Sequence, residues 1–173
     1  ANRANIGTVV FTEVAASAQV RDRLASFDIS DAAAFAGRLQ AAIRIDGEDS
    51  GNKVELRFRG DNIDMGAFAS TVQASYLMPI ARANLSAAIT GRGATWPDVL
   101  NTAHGSFAAN FGPGAMTGPD LQRFMERAAE GEFFPLQSLG SGTLNFQKMS
   151  VRARISDGVA SLEQFDLLSG GYA

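Results

Sequence analysis

The sequence contains no cysteine. This excludes a disulfide framework and any cysteine-ligated metal site, and it suits an oxidising and a reducing compartment equally. Histidine occurs once, at His104, so there is no histidine cluster to bind zinc. An excess of positive charge is missing too. Fifteen Lys and Arg stand against 18 Asp and Glu, giving a net charge of -3. The arginines alternate with acids, which speaks against a nucleic-acid partner and against anionic membrane surfaces. No apolar run approaches the roughly 20 residues of a membrane-spanning helix, and no signal-peptide pattern is visible. The chain begins "ANRANIG" and ends "LLSGGYA" in strand-like sequence. That predicts a fragment of a longer protein, with targeting segments outside it.

Apolar sequence in sheet-like order is what the chain does have. Hydrophobic residues make up 46% of 173 positions, enough for one domain with a real core. Short alternations occur in "IGTVVFTEV" and "LASFDIS", with poorly defined phase. From Leu39 to Gly60 the pattern is much sharper. Leu39, Ala41, Ile43 and Ile45 share one face of a strand, and Val54, Leu56 and Phe58 share one face of the next. With Ile45 opposite Val54 across the turn "GEDSGN", Arg44 faces Glu55 and Asp46 faces Lys53. A single register therefore puts both charge pairs on one side and every apolar residue on the other.

Met65, Phe68, Ala69 and Val72 follow helical spacing, and Pro79 punctuates the end. A strand follows with Leu85, Ala87 and Ile89 on one face. Two segments then look like helix starts, "TWPDVL" at Thr95 and "TGPDLQ" at Thr117. Each has a Thr N-cap, an early Pro and an Asp at the third position. The second helix would carry Leu121, Phe124, Met125 and Ala128 on one stripe and stop at Gly131. Between the two starts, Phe107, Ala109 and Phe111 alternate along a strand. A final hairpin turns at Asp157-Gly158. It pairs Ile155 with Ala160 and Ala153 with Leu162 on the apolar face, and Arg154 with Ser161 and Arg152 with Glu163 on the polar one. The phase slips from Leu144 and Phe146 to Met149 and Val151. Bulges near Gln147 and Lys148, and near Glu163 and Gln164, would absorb the slip.

Catalytic chemistry has little to stand on. "HGSF" lies in an alternating strand, not on a strand-to-helix elbow that would expose a nucleophile. A surface or edge position is therefore expected for His104. "GEDSGN" is rich in oxygen ligands but lacks the spacing of a calcium loop, so it is read as a solvated turn. "GRG" and "GPG" have no phosphate-cradle context. Tyr76 and Trp96 are isolated aromatics, and Trp96 at a helix start reads as packing. No cofactor or metal is implied, and an enzyme is not expected.

The order of motifs carries a resemblance. The run "GRLQAAIRIDGEDSGNKVELRFRGDNIDMGAF" continues into "ANLSAAITGRGATWPDVLNTAHGSFAANFGPGAMTGPDL" and later "LNFQKMSVRARISDGVASLEQFDLLSGGYA". Over roughly residues 37–173 this succession resembles the C-terminal region of the AsmA family. There a strand ending in G-r-G precedes a short helix, a strand, another helix and an "i-x-D-G-v" hairpin. Thr102, Ala103 and His104 depart from the family's usual residues, and "FGPGAMTG" replaces its acidic-Gly turn. Both departures touch turns, not apolar faces. The resemblance implies a periplasmic body anchored in the inner membrane by a helix outside this chain. It also implies likeness to the repeating β-groove proteins that bridge lipid between membranes. Phospholipid movement, or outer-membrane integrity, is the implied role. The family offers no catalytic residues to carry over.

The expected architecture is a single mainly β domain over 1–173: one strongly curved, mostly antiparallel sheet with two or three short helices at its ends. The expected site is an apolar groove solvating acyl chains, formed by Leu39, Ile43, Ile45, Val54, Leu56, Phe58, Leu85, Ile89, Phe107, Phe111, Val151 and Ile155. Its expected partner is a phospholipid or other acyl lipid, with other envelope proteins docking on edge strands. The alternative is a structural or partner-binding β module with a closed core and no lipid. A hydrolase centred on His104 is a distant third reading.

Overall fold

The computed structural model describes residues 3–48, 51–73, 79–119, 126–127 and 141–169. Alternation dominates them, and they form one open, curved antiparallel sheet. Its strands are β1 (Arg3–Ile6), β2 (Val9–Arg21), β3 (Leu24–Ala34), β4 (Gly37–Glu48), β5 (Gly51–Asp64), β6 (Pro79–Gly93), β7 (His104–Pro119), β8 (Ser141–Phe146), β9 (Lys148–Ser156) and β10 (Val159–Leu168). Two short helices, α1 (Met65–Val72) and α2 (Trp96–Asn101), interrupt the sequence. Each of β1 to β7 pairs with the next, β7 pairs with both β8 and β9, and β10 ends the sheet beside β9. No second sheet covers it among the described residues.

The central hairpin has the register its two patterns demanded. Ile45 lies opposite Val54, Arg44 opposite Glu55 and Asp46 opposite Lys53. The closest ion pair nonetheless runs along β5 and not across it, with Lys53 Nζ 2.5 Å from Glu55 Oε1. The Lys53 ammonium, by donating to the carboxylate and by its charge, holds the Glu55 pKa below its usual range. Desolvation opposes this, and Arg44 and Arg57 reinforce it. A lowered folded-state pKa contributes stability above the unfolded pKa, and that contribution is lost as pH falls through the folded value. Glu55→Gln should therefore lower the urea midpoint slightly at neutral pH, with the gap closing below the ordinary glutamate range. An unchanged gap in acid would show that the carboxylate charge contributes nothing.

The last hairpin pairs Ile155 with Ala160, Arg154 with Ser161 and Ala153 with Leu162, as the turn predicts. Beyond that the expected pairing of Arg152 with Glu163 is corrected. A bulge lies between Leu162 and Gln164, so Gln164 stands opposite Arg152. Glu163 instead accepts from Arg154 Nε at 2.5 Å. On the other strand the slip falls at Gln147, which separates β8 from β9 and donates its backbone N–H to Leu168 O at 2.7 Å.

Thr117 does not cap a helix. It lies in β7 opposite Thr143, and the ladder with β8 runs on to Pro119 opposite Ser141. Pairing with β8 supplies backbone hydrogen bonds that a local cap would otherwise have to supply. The apolar stripe Leu121, Phe124, Met125 and Ala128, with Gly131, lies outside the described residues.

Irregularities in the ladders line up near the Asp64 end of β5. Extra residues sit at Glu13–Val14 in β2, Ser30–Asp31 in β3, Asp61–Asn62 in β5 and Gly112–Pro113 in β7. Bulges bend strands and raise their twist, so the sheet curls along this line. Arg82 stitches it by donating to Ala36 O at 2.8 Å and Asn62 O at 3.0 Å. The main core lies here: Ile63, Met65, Phe111, Phe146 and Met149 are buried, with Phe35 and Phe68 packed against them. A smaller cluster joins Ile29, Ala32, Ala34 and Leu39.

Candidate functional site

Strand register puts all twelve expected groove residues on one face. Ile43, Leu56 and Ile89 are successive cross-strand neighbours, and Gly105 and Ile155 continue the row. Ala41, Phe58, Ala87, Phe107 and Ala153 form the next row. Leu85 and Val151 flank Ala109 in a third, and Ile45 with Val54 lies at the opposite end. From β3 to β9 the rows cross five inter-strand steps, a contour of about 24 Å at about 4.8 Å per step.

Both helices lie on this same face, at opposite strand ends. Asp64 caps α1 by accepting from Ala67 N at 3.0 Å. Phe68 then meets Phe35 edge to face at 5.3 Å between centroids. At the other end Thr95 and Asp98 form the expected capping box of α2. Thr102 accepts from Arg92 N at 2.8 Å and donates to Arg92 O at 2.6 Å, tying the helix to β6. Val99 is buried over Gly91. The two helices wall a trough whose floor is the sheet between them.

The face is concave. A side-chain carbon on Gly105 would collide with Ala88 O and lie 2.8 Å from Ile89 Cα. One on Gly114 would collide with Ile80 O and lie 2.5 Å from Ala81 Cβ. At these positions of β7 the backbone of β6 has swung over the apolar side.

Burial divides the twelve. Leu39, Val54 and Phe111 are buried and belong to packed core. Ile43, Ile45, Leu56, Phe58, Leu85, Ile89, Val151 and Ile155 are half-buried, and Phe107 is 37% exposed. Three further residues of this open surface were not among the twelve expected groove residues, although Leu162 was already expected on the apolar face. Phe27, opposite Ile43, extends the central row at 41% exposure. Leu162 and Phe165 extend the second and third rows onto β10, opposite Ala153 and Val151. The alternation Ala25, Phe27, Ile29 was the available signal for Phe27. Trp96 is a correction: it is 62% exposed and does not pack into the core, the role that falls to Val99.

His104 opens β7 at the edge of the polar face, its Nε2 3.3 Å from Asp157 Oδ1, with both side chains more than half exposed. Among the described residues no group of three or more metal-binding side chains occurs, and no helix is long and apolar enough to cross a membrane. Comparison with protein-family models, curated proteins and solved structures gives no match to this chain. Function has to be read from the trough itself.

Proposed function

We propose that this chain is a non-catalytic domain of an AsmA-like envelope protein, and that its trough shelters lipid acyl chains. One observation carries the reading: among the described residues, the apolar face between α1 and α2 has nothing over it. Phe27, Phe107, Leu162 and Phe165 stand 37–63% exposed on it. A contiguous apolar patch of this kind on a soluble chain marks a binding surface. Each methylene transferred from water to such a surface is worth about 0.8 kcal/mol, so an acyl chain needs no specific polar contact to be held. The fit is also electrical, since the charged side chains alternate onto the opposite face. On this reading the domain works in the periplasm, in a protein anchored in the inner membrane by a segment outside this chain.

A second reading has its own observation. β10 is hydrogen-bonded on one side only among the described residues, and Val159, Leu162, Phe165 and Leu168 are 50–63% exposed along it. Such an edge accepts a strand from another envelope protein.

Native mass spectrometry with organic extraction, on protein purified from a bacterial host, separates the two. Co-purified phospholipid is expected, and it should be lost in Leu56→Asp and Ile43→Asp while circular dichroism and a cooperative melt show both variants folded. A folded, lipid-free protein that also takes up no added phospholipid would leave the edge-strand module standing alone.

A further inference from the structure

Beside α2 the trough deepens into a cavity of about 220 Å³. Ile45 and Val54, paired across β4 and β5, make its floor. Val99 and Trp96 of α2 form one wall, and Asn52, Ala94 and Thr95 also line it. The helix that builds this wall is held from several directions. Its first turn is closed by the Thr95–Asp98 capping box, and its end by Thr102 on Arg92. Val99 rests on a glycine, Gly91, where any side chain would push it off the sheet. A wall fixed this way makes a preformed cavity, not a gap that a loop can collapse.

Size limits the occupant. An apolar cavity of about 150 Å³ already admits benzene, while drug-sized ligands need about 300–1,000 Å³. The space beside α2 lies between these, too small for a whole lipid and large enough for one end of a chain. Its floor carries no charge and adjoins the row Ile43–Leu56–Ile89, so a chain lying in the trough can enter it without crossing water. Trp96 fits the same role. It is the chain's single tryptophan, at the cavity wall and 62% exposed, so its indole is poorly used by the protein alone.

We propose that this cavity holds the methyl end of a single unbranched acyl chain, with Trp96 closing over it. The proposal rests on the lipid reading of the trough and adds an address and an orientation to it. The carboxyl or headgroup end then lies out along the trough, toward solvent.

The single tryptophan reports directly on the proposal. The whole chain would be titrated with stearic acid carrying a nitroxide either near its methyl end or near its carboxylate, and Trp96 emission followed. Quenching should be several-fold stronger with the methyl-end label, and unlabelled oleic acid should shift the emission to the blue. Ala94→Leu, an exposed substitution at the cavity wall, should weaken both signals several-fold while extraction still finds lipid on the protein. Equal quenching by the two labels, or stronger quenching from the carboxylate end, overturns the orientation and with it the proposal. Lipid found by extraction with no response at Trp96 overturns the cavity and leaves the trough intact. No lipid by either measurement removes both.

Discussion

Phe111→Ala is expected to cost about 3–5 kcal/mol of folding stability, the range for truncating a buried phenylalanine. Phe107→Ala is expected to cost about 1 kcal/mol, the centre of the distribution for point substitutions. The two residues share a strand and a face, and sequence alternation treats them alike. Their surroundings differ. Phe111 is 7% exposed and sits among Ile63, Met65, Phe146 and Met149, so its loss leaves a cavity lined by side chains that cannot all relax. Phe107 is 37% exposed and its cross-strand neighbours are the small residues Ala87 and Ala153, which offer little to pack against it. In a domain of this size each kcal/mol moves Tm by about 2–4 °C, so the two variants should separate clearly in one thermal scan. The order should invert for lipid: Phe107→Ala, folded and nearly as stable as the parent, should retain less phospholipid. Similar losses of stability at both positions would mean that Phe107 is covered and that the trough is not open there.

That pair also marks what the sequence can and cannot disclose about a one-layered sheet. Alternation reports which face a residue occupies, and it did so for the whole apolar floor from Leu39 to Ile155. Where charges and apolar residues had to agree on one register, as in the hairpin from Leu39 to Gly60, the pairing was legible to the residue. Cover is a different property. Leu39, Val54 and Phe111 lie on the same face as Ile43 and Phe107 and are buried only because bulges and helices bring distant segments over them. Nothing in a period-two pattern encodes that.

The early strands were illegible for a local reason. β2 carries the Ala-rich stretch "AASA", which offers little contrast between faces, and bulges at Glu13–Val14 and Ser30–Asp31 break the phase on both strands. Phe27 was lost in that noise. At Thr95 and Thr117 near-identical capping motifs had opposite fates. Thr95 follows the end of β6, where the backbone is free to turn, whereas Thr117 lies within a strand that makes six residue pairs with β8, its own with Thr143 among them. A capping motif therefore names a possible helix start, and the ladder decides. Trp96 shows a further limit: the box fixes where α2 begins, while the seat of Val99 on Gly91 fixes which side of it faces the sheet.

The curvature that makes a trough out of a sheet should itself be testable at a single atom. Gly105→Ala is expected to destabilise the fold by about 1–3 kcal/mol, the usual cost of forcing extra atoms into a filled site. The methyl would collide with Ala88 O and approach Ile89 Cα at 2.8 Å, and both are backbone atoms of β6 that can yield only if the two strands part. Gly112→Ala, seven residues along the same strand, is the control. Its methyl would find Arg82 O at 3.8 Å, an ordinary contact. It should be neutral, or stabilising by about 0.4–1 kcal/mol through the less flexible unfolded chain. The opposite signs matter because alanine is the better strand residue at either position by propensity alone. Only the close approach of β6 over the apolar side can make Gly105→Ala the worse. A Gly105→Ala protein as stable as its Gly112→Ala counterpart would mean that the two strands lie flatter, and a flat apolar sheet would spread its surface to solvent without enclosing a chain.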